Sequence, residues 1–211
     1  MRMAISTVLL LLCQSAAAGS SESLQALLTL DAPPAATPHI TVVRDGGKVR
    51  GVVADVVPHP VEHVINEIIM CYSAFPEWFP YQTNAHYVTD IVDESAIIYG
   101  EVSLPWPIGT RDFEAKITGA IENHSSGEVY RIEFAHVEGT GNIAMMEGSW
   151  RIQRYGDDKT LVHYDATVDF DTWVPAFLLA KGTEQFLPKI TGNMTDRTGQ
   201  CANPKKGTPR L

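Results

Sequence analysis

The chain has 211 residues, with 16 Lys or Arg against 25 Asp or Glu, and its formal net charge at pH 7 is −9. An acidic surface without a basic cluster repels phosphate groups, so this composition argues against a nucleic-acid partner and against binding to anionic lipid headgroups. The length suits one domain with a hydrophobic core of its own.

The amino terminus has the three-part order of a secretory signal peptide. Arg2 precedes an apolar run over residues 4–12, and small residues follow that run. This order predicts a signal peptide over residues 1–18 and export to a periplasmic or extracellular space. No later apolar run reaches the roughly 20 residues of a membrane-spanning helix, so we expect the exported protein to be soluble. A lipid anchor on Cys13 is the alternative, although Leu12 is a poor residue before a lipidated cysteine.

The rest of the chain divides into a linker, a folded domain and a tail. Residues 19–38 combine a short helical pattern with a proline-rich stretch, which predicts an N-terminal helix and linker. Residues 39–198 carry the patterns of one domain, and residues 199–211 form a polar tail that we expect to be flexible. The domain opens with two β-branched runs, Ile40–Arg44 and Lys48–Val57, and the Asp-Gly-Gly between them predicts a β-hairpin.

Helical and strand periodicities then follow one another through the domain. Apolar residues at helical spacing from Val61 to Tyr72 predict an amphipathic helix, and the aromatic segment Ala74–Tyr81 predicts a short second helix or turn. A similar pattern from Val174 to Arg197 predicts a long final helix with one apolar face, kinked at Pro188. Between the helices, six strands joined by short polar breaks predict an antiparallel meander over residues 85–91, 95–103, 111–121, 128–136, 144–155 and 159–170.

Several aromatic and proline-rich segments occur in a definite order across this domain. They are Phe75–Pro80, Leu104–Pro107 with Arg111–Asp112, Gly148–Ile152, and Val174–Leu178 with Leu187–Pro188. In these segments and in the order of its elements, the chain resembles the START (StAR-related lipid transfer) family of the wider polyketide cyclase superfamily. The resemblance implies an α+β helix-grip fold, in which a curved antiparallel β-sheet wraps around the long C-terminal α-helix and leaves an internal hydrophobic cavity.

The same resemblance implies where the cavity opens. In START-like proteins, the loop before the strand that begins with the Arg-Asp pair meets the start of the final helix at the mouth of a lipid tunnel. The implied mouth residues are Pro105, Trp106, Pro107 and Ile108 on one side and Trp173, Val174, Phe177 and Leu178 on the other. Adjacent strand residues point to opposite faces, so only one of Arg111 and Asp112 can point inward, and we expect it to be Arg111.

Strand alternation divides the meander into two sets of residues. The first carries charges that favour solvent: Tyr99, Glu101, Glu133, Met145, Glu147, His163 and Asp165. The second is apolar enough to line a lipid cavity: Ile98, Val102, Ile132, Phe134, Met146, Trp150, Tyr164, Ala166 and Val168. Periodicity alone does not say which set meets the cavity. The predicted ligand-binding residues are Trp106, Ile108, Arg111, Phe134, Met146, Trp150, Tyr164, Trp173, Phe177 and Leu178.

Metal and disulfide chemistry have little support in the sequence. His59 and His63 have a spacing that can serve a metal ion, but Pro60 separates them and no third ligand is near, so we predict no metal site and no cofactor. After signal cleavage only Cys71 and Cys201 remain, and their pairing in an oxidising compartment is left open.

The sequence favours a carrier over an enzyme. No catalytic residue is predicted, because Ser149 has no evident base beside it and His163 with Asp165 on one strand face is typical of a solvated pair. We therefore expect non-enzymatic binding and transport of a lipid, sterol or other isoprenoid, with transient contact to a membrane or to a donor or acceptor protein. Two alternatives remain open: a cyclase or hydrolase that uses His163, Glu101 or Asp165, and a scaffold whose cavity is vestigial.

Overall fold

A computed structural model of the chain describes residues 39–45, 47–124 and 127–197. Three predicted segments lie outside the described residues: the signal peptide (1–18), the N-terminal helix and linker (19–38), and the tail (199–211). Within the described part of the chain, no helix is both long enough and apolar enough to cross a membrane.

Eight antiparallel strands form one sheet in the order β1-β2-β8-β7-β6-β5-β4-β3. They are β1 (His39–Asp45), β2 (Lys48–Val57), β3 (Gln82–Tyr87), β4 (Ser95–Leu104), β5 (Gly109–His124), β6 (Gly127–His136), β7 (Met145–Arg154) and β8 (Thr160–Asp169). The strands lie close to their predicted bounds because alternating β-branched and aromatic residues between polar turns favour strands. β5 is the longest at 16 residues and begins at Gly109, which shortens the predicted mouth loop to residues 105–108.

The first hairpin joins the last strand of the meander. β1 and β2 pair as far as Asp45 opposite Lys48. β2 also pairs with β8, from Val49 opposite Val168 to Val57 opposite Thr160. Strands β3 to β8 pair in sequence order, as predicted for a meander, and β1 and β3 form the two edges of the sheet.

The helical region after β2 differs from the prediction of one continuous helix. α1 (Val61–Ile65) passes directly into a π-helical turn (Asn66–Met70), and a 3-10 helix (Tyr72–Glu77) follows. The amide of Cys71 donates to the carbonyl of Asn66 at 3.0 Å, a spacing of five residues. Ile68 within the turn and Tyr72 after it are both buried.

The last helix packs against one face of the sheet, which we call the concave face. α2 (Ala176–Arg197) contacts β1 and β2, and its residues Leu187 and Ile190 belong to the main apolar core. Gly51 permits this close approach, since a Cβ atom at that position would lie 2.6 Å from Cγ2 of Thr183. The helix therefore lies against nearly bare backbone of β2.

Ion pairs hold the C-terminal end of α2. Nε of Arg197 lies 3.3 Å from Oε2 of Glu67, whose side chain is almost fully buried, and Nη1 of Arg197 also pairs with Glu77. Pro188 lies inside α2 without ending it. The curved antiparallel sheet closed by a C-terminal helix confirms the predicted α+β helix-grip fold.

Candidate functional site

A cavity of about 460 Å³ lies between the concave face of the sheet and α2. Its lining comes from strands β2 to β8, from the helical region after α1 and from α2, and most of it is apolar or aromatic. The volume falls within the ~300–1,000 Å³ of pockets that enclose a drug-sized ligand. The fold thus contains a binding site of the size that a small hydrophobic molecule requires.

The apolar set from strand alternation forms much of the cavity wall. All nine of its members line the cavity: Ile98, Val102, Ile132, Phe134, Met146, Trp150, Tyr164, Ala166 and Val168. The charged set lies on the opposite, convex face, where Asp165 pairs with Arg50 and Glu101 accepts a hydrogen bond from Thr83. The structure therefore shows which of the two sets faces the cavity, which the periodicity left open.

The loop of residues 105–108 and the first turn of α2 border the cavity at one end, which we call the mouth. Ile108 packs against a small buried cluster that includes Val174 and Leu179, so the loop and the helix are in contact. Trp106 lines the mouth while 87% of its surface is exposed.

Seven of the ten predicted ligand-binding residues line the cavity: Trp106, Ile108, Phe134, Met146, Trp150, Tyr164 and Leu178. Trp173 and Phe177 do not; they lie beside the mouth and are 77% and 57% exposed. Val174, just before α2, and Leu178 in its first turn line the cavity, whereas Phe177 in the same turn as Leu178 faces solvent.

Arg111 also lies outside the cavity lining. Alternation places it on the same strand face as Phe113, but its Nη1 donates to the carbonyl of Thr110 at 3.1 Å, so the side chain turns back along its own strand. Its Nε is buried without a hydrogen-bond partner. Asp112 points to the other face, and its backbone amide donates to Oδ1 of Asn142 at 2.9 Å.

The acid and base candidates of the cyclase alternative lie outside the cavity. Glu101, His163 and Asp165 belong to the convex face, so none of them reaches a ligand in the cavity. The prediction of a solvated His163–Asp165 pair is wrong for the histidine, which is buried and has no hydrogen-bond partner at either ring nitrogen. Burial lowers the pKa of His163 to about 4. Asp165 instead pairs with Arg50, with Nε 2.8 Å from Oδ1.

Four polar side chains lie among the apolar residues of the inner cavity: Tyr72, Gln82, Tyr87 and Tyr164. The hydroxyl of Tyr87 donates to the backbone carbonyl of Ile69, and Nε2 of Gln82 donates to the carbonyl of Asn84 at 3.0 Å. Burial raises the pKa of all three tyrosines, so their hydroxyls stay protonated at neutral pH.

Charge is scarce in the described part of the lining. The one charged side chain of this described lining is Lys181, an exposed residue of α2. The described lining contains no His, Cys, Asp or Glu. A general base able to work at neutral pH is therefore lacking among these residues. Such a surface can bind by apolar contact and by a few neutral hydrogen bonds.

The described residues contain no cluster of three or more His, Cys, Asp or Glu side chains suited to a metal ion. Nε2 of His59 lies 2.7 Å from the carbonyl oxygen of Thr195, and His63 is exposed. Cys71 is disulfide-bonded. The sequence left open whether Cys71 pairs with Cys201, and Cys201 lies outside the described residues.

Sequence reasoning missed the lining residues that come from irregular segments. Helical spacing assigns Tyr72 to a buried stripe, but it cannot show that the side chain borders a cavity rather than solid core. Gln82 begins β3 three residues before the predicted strand, so no alternation marks it. The aromatic segment that follows Tyr72 was the available signal for this part of the cavity wall, because several aromatic rings at one end of a sheet pack together around a shared apolar space.

Comparison with known proteins places this architecture in a family. The family described as polyketide cyclase / dehydrase and lipid transport matches residues 57–195. A START superfamily protein from Mycobacterium smegmatis is 17% identical with a TM-score of 0.54, covering 72% of this chain and 97% of that one. Human StAR-related lipid transfer protein 5 is 14% identical with a TM-score of 0.60, covering 90% and 100%. The Zhui aromatase/cyclase from Streptomyces sp. R1128 is 10% identical with a TM-score of 0.51, covering 81% and 100%.

At these identities the solved structures establish a shared fold, and they include both a lipid transfer protein and a cyclase. No curated protein matches the sequence at a significant level. The family match spans well over half of the chain and coincides with the sheet, the cavity and the closing helix. The chain therefore belongs to the polyketide cyclase / dehydrase and lipid transport family and has a START-like helix-grip domain.

Proposed function

We propose that this protein binds and transports a hydrophobic small molecule, such as a lipid, sterol or other isoprenoid, without changing it chemically. The observation that carries the proposal is the cavity of about 460 Å³, whose described lining is almost wholly apolar and contains no His, Cys, Asp or Glu. Apolar burial alone supplies sufficient affinity. Removing ~300 Å² of apolar ligand surface from water contributes ~7.5 kcal/mol, which is close to the ~8 kcal/mol of micromolar binding.

The described lining also favours a carrier over a cyclase. Proton transfer needs a group whose pKa lies near the operating pH. The tyrosine hydroxyls of the inner cavity have raised pKa values, so they stay protonated at neutral pH and cannot accept a proton as general bases. Lys181 is exposed on α2, away from an enclosed reaction centre. These residues suit recognition of a ligand better than its conversion.

The mouth supports a route for exchange with a membrane. Trp106, Trp173 and Phe177 form an exposed aromatic group on both sides of it. Tryptophan and phenylalanine favour the boundary between lipid headgroups and acyl chains. The acidic chain disfavours anionic headgroups, so we infer transient contact with a neutral lipid surface, in the extracytoplasmic space to which the signal peptide would direct the protein.

A vesicle transfer assay tests the mouth. A fluorescent sterol is loaded into phosphatidylcholine donor vesicles, and its movement to acceptor vesicles is followed with and without protein. We expect wild type to accelerate transfer and Trp106→Asp to reduce that acceleration at least tenfold, because a carboxylate at the mouth opposes both lipid contact and ligand passage.

The matched control is Val92→Asp. Val92 is 64% exposed and pairs with Ser95 at the start of β4, whereas the mouth loop follows the end of that strand, ~30 Å away at ~3.3 Å per residue. Equal transfer by Trp106→Asp and Val92→Asp would contradict the proposed mouth. A chemically altered sterol recovered after incubation would favour the cyclase alternative.

A further inference from the structure

One hydroxyl group in the cavity lacks a partner. Tyr164 lines the cavity and is only 8% exposed, yet its hydroxyl has no hydrogen bond to any described residue. Its ring is fixed by Trp150, Phe134 and Phe79, with centroid distances of 4.5, 6.0 and 6.1 Å. A hydroxyl that faces an apolar cavity without a hydrogen bond from the protein is unfavourable, so this group is placed to bond a polar atom of a ligand.

Two further polar side chains lie near Tyr164. The phenol of Tyr72 interacts electrostatically with that of Tyr164. Burial raises the pKa of Tyr72, and the neighbouring side chain of Gln82 opposes that shift. All three residues line the cavity, and we call them the tyrosine subsite. Tyr87 is different, because its hydroxyl already donates to the carbonyl of Ile69.

The tyrosine subsite is neutral. Burial raises the pKa of both Tyr72 and Tyr164, so they act as hydroxyl donors and acceptors rather than as anions. Lys181, the charged residue of the described lining, is exposed on α2. A carboxylate or phosphate at the subsite would lose its hydration without gaining a counter-charge, whereas a hydroxyl or carbonyl group needs only a hydrogen bond.

We propose that the tyrosine subsite binds the hydroxyl or carbonyl group of a neutral lipid, and that it discriminates against lipids that carry a carboxylate. This inference rests on the proposed carrier function and specifies its ligand class. Tyr164 supplies the hydrogen bond, and Tyr72 with Gln82 completes the polar surroundings.

A displacement assay tests the inference. A fluorescent hydrophobic dye is bound in the cavity and then displaced by three ligands of equal chain length: 1-tetradecanol, tetradecane and tetradecanoate. In wild type we expect the alcohol to bind about tenfold more tightly than either the alkane or the carboxylate, as one net hydrogen bond predicts. Tyr164→Phe keeps the ring and removes the hydroxyl. It should weaken alcohol binding about tenfold and leave alkane binding unchanged, whereas Tyr155→Phe, in the exposed turn after β7, should change neither.

The outcomes separate the subsite from the carrier function. Equal affinity of Tyr164→Phe and wild type for the alcohol, or wild-type binding of tetradecanoate as tight as that of the alcohol, overturns the subsite and leaves the carrier function standing. A lower Tm of ligand-free Tyr164→Phe than of ligand-free wild type also overturns it, because the hydroxyl would then have a partner within the protein. Failure of all three ligands to displace the bound dye contradicts the carrier function itself.

Discussion

His163 should make the folded protein sensitive to mild acid. It lies on the convex face of β8, opposite Ala54 of β2 and Arg151 of β7, and is only 6% exposed. Burial lowers its pKa from 6.5 to about 4; Asp165 opposes this shift, and Arg151 and Arg50 add to it. The imidazole is therefore neutral in the folded protein at pH values where it is protonated in the unfolded chain.

The direction and size of the effect follow from these two pKa values. Between pH 6.5 and pH 4 the unfolded chain binds a proton that the folded protein does not, so the free energy of unfolding decreases as the pH falls through this window. A pKa difference of about 2.5 corresponds to ~3 kcal/mol at 1.36 kcal/mol per pKa unit. Most of that loss, ~2 kcal/mol, should be present by pH 4.5. His163→Leu removes the titrating group, so the variant should gain ~2 kcal/mol relative to wild type between pH 7 and pH 4.5.

Urea unfolding of both proteins at pH 7.0, 5.5 and 4.5 measures this difference. Comparison with wild type at each pH removes the contribution of the carboxylates, which titrate in both proteins. His63→Leu is the control, because it removes an exposed histidine of the same chain by the same substitution. Parallel pH profiles of wild type and His163→Leu would refute the reasoning.

Three further predictions concern stability and processing. Arg197→Ala should lower the free energy of unfolding by ~2–3 kcal/mol, because it removes the ion pair of the buried Glu67. Urea titrations measure this loss, and a loss below about 0.5 kcal/mol would show that Glu67 does not need this partner. Gly51→Leu should lower Tm by displacing α2 from β2, whereas an unchanged Tm would contradict the close packing at Thr183. Export should remove residues 1–18, which an intact mass of the exported protein would show, and an uncleaved mass would contradict the signal peptide.

Much of the fold could be predicted because its elements carry strong periodic patterns. Alternation from Ile98 to Val168 divides the strand residues between the two faces of the sheet, and the repeat from Val174 to Arg197 locates the closing helix. These patterns arise because one side of each strand or helix is buried. They depend on whether a side chain is apolar or polar and not on which apolar or polar residue it is. The class of fold follows from their order.

The finer features of the site depend on tertiary contacts that periodicity does not encode. His163 has the pattern of an exposed residue but is buried on the convex face. Phe177 and Trp173 have the composition of cavity residues but face solvent, because orientation within the first turn of a helix is set by packing. Tyr72 and Gln82 reach the cavity from irregular segments, where the geometry of a π-helical turn and a 3-10 helix decides the direction of each side chain.

The central claim is that the cavity holds a hydrophobic molecule in its native setting. Its most direct test is native mass spectrometry of the protein purified from its own host, followed by mass spectrometry of an organic extract of the same sample. We predict one unmodified neutral lipid per protein molecule, present with the Val92→Asp variant and reduced with Trp106→Asp. A wild-type protein that carries no extractable hydrophobic molecule, and takes up none when lipids from the host are supplied, would contradict the account.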